Sequence, residues 1–171
     1  MLLLFLVPLI LQFAVGEACQ NADFDSVNGK CYGLVKILPN ATESPELYQQ
    51  SIALCKKYNA VLPMLKTYQE QFYFTHWVED KIDNVTNFDE VFLGLRCNYS
   101  SHNPYWADGT PVIYNNFFSS FDKRCFHDLY VLHVIGDYWY YVTDNHNDLQ
   151  NVFVVCEEGR QYFPSSMAEF T

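Results

Sequence analysis

The sequence is short of positive charge. Ten Lys and Arg stand against 20 Asp and Glu, a formal net charge of −10. The basic residues do not cluster; Lys56-Lys57 and Lys123-Arg124 are isolated pairs. A chain without a basic patch is a poor partner for nucleic acid or anionic lipid surfaces. No Cys-x-x-Cys occurs among the six cysteines, so the close thiolate spacing of a zinc cluster is missing. The histidines at 76, 102, 127, 133 and 146 form no His-Glu-x-x-His or other close ligand spacing. Gly-x-Ser-x-Gly and phosphate-cradling glycine loops are also absent. Paired carboxylates for glycoside hydrolysis stay open, because 20 acids single out no pair. A secreted hydrolase of unknown substrate is therefore the enzymatic alternative.

What is present begins with an apolar leader. Met1 to Gly16 carries no charged side chain and ends in the small-x-small triplet Ala14-Val15-Gly16. This is the pattern of a secretory signal peptide over 1–16, with cleavage after Ala18 also compatible. The run is shorter than the ~20 apolar residues a bilayer span needs. Removing 16 of 171 residues leaves about 155, enough for one domain with a real core. Half the residues are hydrophobic and 18% aromatic, which argues against disorder. Six cysteines remain after cleavage: Cys19, Cys31, Cys55, Cys97, Cys125 and Cys156. An even count behind a signal peptide implies three disulfides, for which sequence alone allows 15 pairings. Asn40-Ala-Thr42, Asn84-Val-Thr86 and Asn98-Tyr-Ser100 are glycosylation sequons, which fit a secreted, extracellular glycoprotein.

Local signals order the chain. Gly29-Lys30 reads as a turn, followed by a short strand over Cys31–Ile37. Ser44-Pro45-Glu46 starts a helix that presents Leu47, Ser51, Leu54, Cys55 and Tyr58 on one face; Asn59 can end it in the left-handed conformation. Thr67-Tyr-Gln-Glu70 is a capping box for a second helix to about Ile82. Val91–Leu95 reads as a buried strand and Asp108-Gly109 as a turn. Further strands follow over Phe126–Ile135, Tyr138–Thr143 and Val152–Glu157, the first two joined at Gly136-Asp137. A strand, two helices, then several strands predict an α+β fold. One domain spans 19–158, with a short tail over 159–171.

Several of these pieces resemble the C-type lectin-like domain, in order. Cys55, with Asn59-Ala60-Val61-Leu62-Pro63-Met64-Leu65, resembles C-x-x-x-G-A-x-L-A-x-I. Thr67-x-x-Glu70 resembles S-x-x-E, and Phe92-Leu93-Gly94-Leu95 resembles W-I-G-L. Trp106-Ala107-Asp108-Gly109-Thr110, then Tyr114-Asn115-Asn116-Phe117, resembles W-x-D-G-S followed by Y-x-N-W. Val154-Val155-Cys156-Glu157 resembles the closing F-V-C-E. The resemblance implies a recognition module, not an enzyme, with a glycan or an extracellular protein surface as partner. It also implies Cys19–Cys31 and Cys55–Cys156 bridges, and leaves Cys97 to Cys125.

The departures concern calcium. The family's E-P-N or Q-P-D triad lies in its long loop, yet here no proline occurs between Pro111 and Pro164. Its W-N-D is replaced by Trp139-Tyr140-Tyr141. The usual calcium site is therefore expected to be missing, and no cofactor is assigned. Asp144, Asn145 and Asp148 are weak metal candidates, equally readable as a polar loop. Tyr138 and Tyr140 fall on one strand face, opposite Trp139 and Tyr141, with Trp139 in the core by resemblance. These two tyrosines, with Phe117 and Phe118, are the candidate ligand-binding residues; Phe121 belongs to the same aromatic run. Exposed, the phenylalanines make an interaction patch. Buried, they support the loop from inside.

Overall fold

The computed structural model describes residues 19–39, 45–82, 89–118, 125, 130–134, 136–141 and 151–159. The leader, the sequons at Asn40 and Asn84, Phe121, the polar run with Asp144, Asn145 and Asp148, and the tail beyond Gly159 lie outside them.

The fold is α+β. In chain order its elements are β1 (Asp25–Val27), β2 (Lys30–Pro39), α1 (Pro45–Lys57), β3 (Ala60–Val61), α2 (Tyr68–Lys81), β4 (Asp89–Phe92), β5 (Leu95–Asn98), β6 (Asn103–Trp106), β7 (Tyr130–His133), β8 (Trp139–Tyr141) and β9 (Asn151–Glu158). One sheet runs β1-β2-β9-β4-β7-β8, with β3 also pairing β9; β5 and β6 form a separate hairpin. The last strand is thus central. It lies antiparallel to β2, with Gly33 opposite Cys156, and parallel to β4, with Val91 opposite Phe153.

Alternation along β9 divides the core in two. Val152, Val154 and Cys156 pack with Tyr48 and Cys55 of α1, whereas Phe153 and Val155 pack with Phe74, Trp77 and Val78 of α2. Covered on both faces, the strand reads Val-Phe-Val-Val-Cys without polar interruption. Gln71, Phe74, Thr75 and Val78 form the buried stripe of α2, and Thr67 caps it reciprocally with Glu70.

Three disulfides join Cys19 to Cys31, Cys55 to Cys156, and Cys97 to Cys125. Cys55 and Cys156 are 101 residues apart in sequence with Cα atoms at 5.3 Å, a closure worth about 4.7 kcal/mol in the chain-entropy view.

Some expectations are corrected. The strand expected over Val91–Leu95 breaks after Phe92. The Gly94 N–H turns away to Pro63 O at 2.8 Å, and the Gly94 carbonyl accepts from Ala107 N at 2.8 Å. A Cβ at Gly94 would sit 2.8 Å from Leu62 O, so only glycine permits this approach. On α1, Tyr48, Ser51 and Cys55 form the buried row, while Tyr58 lies past the helix end and is exposed. The Tyr48 hydroxyl donates to the carbonyls of Leu95 at 2.9 Å and Leu93 at 3.2 Å, which draws it inward. Asn59 takes the left-handed conformation at φ 54°, as its position implies. β2 starts one residue before Cys31 and ends two past Ile37, pairing with β9 across a register shift between Leu34 and Lys36.

A buried ion cluster fastens the segment between the helices. Lys30 Nζ lies 3.1 Å from Glu157 Oε1 and 3.4 Å from Glu70 Oε1, and donates to Met64 O at 2.5 Å. Glu157 accepts from Met64 N at 2.9 Å, and Glu70 from Lys66 N at 2.6 Å. Burial pushes the Glu157 carboxyl above its ordinary pKa, against the pull of Lys30 and the Met64 N–H. Lys30→Met leaves that carboxylate buried without its cation, and should cost about 3 kcal/mol in denaturant unfolding. Lys30→Met with Glu157→Leu should recover most of that loss. In the intact protein, non-reducing peptide mapping should recover Cys55 joined to Cys156; any other partner for Cys55 contradicts this topology.

Candidate functional site

The site is built on the chain that follows β6. Trp106 leads into a turn closed by Trp106 N donating to Thr110 O at 2.9 Å, with Gly109 at φ 85°. Asp108 Oδ1 accepts from Thr110 N at 3.0 Å and from Thr110 Oγ1 at 2.7 Å; the other carboxylate oxygen pairs with Lys66. Burial raises the Asp108 carboxyl, but Lys66 and Thr110 together outweigh it and hold the pKa down to about 2.

Beyond this turn the chain crosses the edge of β8. Trp139 N donates to Asn116 O at 2.8 Å, and Phe118 N donates to Trp139 O at 2.9 Å. The edge strand is thereby covered by 116–118. Trp139 is fully buried within a ring of edge-on aromatics: Tyr114 at 5.4 Å, Trp106 at 5.6 Å and Phe117 at 5.6 Å. Phe117 also reaches Tyr130, so it supports the loop from inside. Its neighbour turns outward. Phe118 is 70% exposed and stacks on half-buried Tyr138 with ring centroids 4.7 Å apart. Ile113, on the same segment, is 87% exposed.

The bend at Asp137 leads into half-buried Tyr138. Asp137 is left-handed, at φ 60°, after Gly136 at φ 101°. Its carbonyl accepts from Gln71 Nε2 at 2.5 Å and from Asn116 Nδ2, and its Oδ1 accepts from Thr75 Oγ1 at 2.6 Å. Gln71 Oε1 takes the Tyr114 hydroxyl at 3.1 Å. Helix α2 thus holds both strands of the site through one buried amide. Burial, then Asp137 and Tyr68, push the Tyr114 phenol up to about 12; burial and then Glu90 raise that of Tyr138.

No protein-family model and no curated protein matches the chain. Solved structures do. CEL-I, a C-type lectin from Cucumaria echinata, aligns at TM-score 0.61 and 16% identity, over 82% of this chain and 97% of that one. The mouse scavenger receptor C-type lectin carbohydrate-recognition domain aligns at TM-score 0.55 and 16% identity, over 84% and 100%. Ovocleidin-17, of the Gallus gallus eggshell calcified layer, aligns at 0.59 and 14%, over 83% and 99%. The chain has the C-type lectin-like fold.

Within this lectin-like domain the donor set around Phe117, Phe118 and Trp139 is aromatic, and the nearby oxygens of Asp137 are engaged by Gln71, Asn116 and Thr75. This group, among the described residues, offers no oxygen cage of the kind calcium requires. Among the described residues, the one His/Cys/Asp/Glu triplet with ligand atoms in mutual reach is Cys19, Cys31 and Glu158, whose cysteines are disulfide-bonded. Asn98 is exposed at the end of β5, where its Oδ1 accepts from Ser100 N and Ser101 N. Tyr140 lies in β8, with its side chain outside the described residues. Sequence reasoning missed Gln71, Thr75 and Asp137. The available signal was a polar pair on the buried stripe of α2, since buried amides and hydroxyls need partners.

Gln71→Leu strands the Tyr114 hydroxyl and removes one of two donors to the Asp137 carbonyl, and should lower stability by about 2 kcal/mol in denaturant unfolding. Phe118→Ala, at an exposed position, should change stability by less than about 0.5 kcal/mol.

Proposed function

We propose that this lectin-like domain is a recognition module that binds a carbohydrate or protein ligand without the usual calcium site. The observation that carries the reading is the exposed Phe118 ring packed at a 40° tilt on half-buried Tyr138. An apolar ring pair held at the surface costs solvation and invites a partner that covers it. Its geometry is fixed in advance by Asp137 and Gln71, so little ordering is left to be done on binding. Similar solved domains include the mouse scavenger receptor C-type lectin carbohydrate-recognition domain. The chemistry of the surface, an aromatic ring pair, suits packing on a sugar face or seating a protein side chain. The calcium-independent part of the reading rests on the sequence, which has no Glu-Pro-Asn or Gln-Pro-Asp triad.

A glycan array with and without chelator, run beside affinity capture of extracellular proteins, tests both ligand classes. Binding is expected to persist in chelator and to fall about tenfold or more in Phe118→Ala. Chelator-sensitive binding that ignores Phe118 would overturn the reading. So would turnover of an ester, glycoside or peptide substrate abolished by one carboxylate or His substitution, which favours the hydrolase.

A further inference from the structure

Helix α2 turns its other face to solvent, and that face is aromatic. Tyr68 is 64% exposed, Phe72 39% and Tyr73 42%. Their rings touch in series: Tyr68 to Phe72 at 6.3 Å, Phe72 to Tyr73 at 5.5 Å, and Phe72 to exposed His76 at 4.3 Å. Positions 68, 72 and 76 repeat every four residues, so they form one row along the helix. The same row continues into Asp80, beside Glu79, and both are exposed. The local cation is already used, because Lys81 Nζ lies 2.8 Å from Asp25 Oδ2. Glu79 and Asp80 form no ion pair among the described residues. An aromatic ridge therefore ends in two negative charges that no cation among the described residues pairs with, on a chain whose formal net charge is already −10.

We infer that this ridge is a second docking surface, distinct from the Phe118–Tyr138 stack, for a short cationic segment of another protein that carries Lys or Arg beside apolar side chains. Charge complementarity selects the partner: cations meet Glu79 and Asp80, and also the faces of Phe72, Tyr73 and Tyr68. Size selects a short segment over a second copy of the domain. With roughly 200 Å² per aromatic side chain, the three exposed fractions leave on the order of 300 Å² uncovered. A stable dimer needs about 800 Å² from each partner. Salt should weaken the contact, since the charged end of the ridge is open to solvent.

The probe is a synthetic peptide of alternating Lys and Leu, titrated into the full disulfide-bonded protein by fluorescence anisotropy. Matched Lys-Ser and Glu-Leu peptides serve as controls. Saturable one-to-one binding of the Lys-Leu peptide alone is expected. Tyr68→Ser with Phe72→Ser should weaken it about tenfold or more without changing net charge. Glu79→Gln with Asp80→Asn should weaken it about tenfold and flatten its salt dependence. Phe118→Ala should leave it within about twofold, which separates this surface from the first. If the double serine variant does not fold, Tyr68→Ser alone decides, because that side chain is the most exposed of the three. Equal binding of the Lys-Ser peptide, or binding kept in the serine variants, means simple attraction to net charge and overturns the inference. A dimer lost on Tyr68→Ser, or glycan binding lost on that change, assigns the ridge to another occupant and overturns it equally.

Discussion

Everything in this molecule hangs on the two-sided burial of β9. Val152 to Cys156 are within 2% of complete burial, with α1 on one face, α2 on the other, β2 along one edge and β4 along the other. A strand so enclosed can form only when both ends of the sequence have arrived, so the most non-local contacts are also the central ones. The Cys55–Cys156 bridge fixes that encounter on the α1 side. The Lys30–Glu157 pair fixes it at the start of β2. Both lie next to each other in sequence, at Cys156 and Glu157, and both join β9 to elements from the first half of the chain. The ion pair is a costly way to do so, since two charges leave water, and what it supplies is position: it holds the Met64–Thr67 segment on which the cap of α2 rests.

The surface properties follow from that frame. Once α2 is seated, its inward face presents Gln71 and Thr75 to the Asp137 bend, after which Tyr138 is half-buried and Trp139 fully buried. The outward face of the same helix is left with its ring series uncovered. One helix therefore governs both aromatic surfaces, one through buried hydrogen bonds and one directly. In the loop, edge-on aromatic packing surrounds Trp139. Phe117 and Tyr114 both pack against the buried Trp139 ring from the same segment of chain.

The sequence by itself determined the local devices. The Thr67–Glu70 capping box, the left-handed Asn59, the Asp108-Gly109 turn and the α+β order all rest on neighbours within a few residues, and such interactions can be read from spacing. The joint order of motifs was legible as a lectin-like resemblance, and with it the pairing of cysteines that spacing alone left among 15 possibilities. Only the tertiary structure decided which aromatics are buried. Phe117 and Phe118 are adjacent and chemically alike, and the difference between them is that one side of the chain faces Trp139 and the other faces solvent. The same holds for Gly94, whose need for hydrogen in place of a side chain comes from the Leu62 carbonyl, and for Gln71, whose partners stand 43 and 66 residues away. Burial and long-range hydrogen bonding depend on which surfaces meet, and that is settled by the packing of whole elements, not by the residues beside them in the chain.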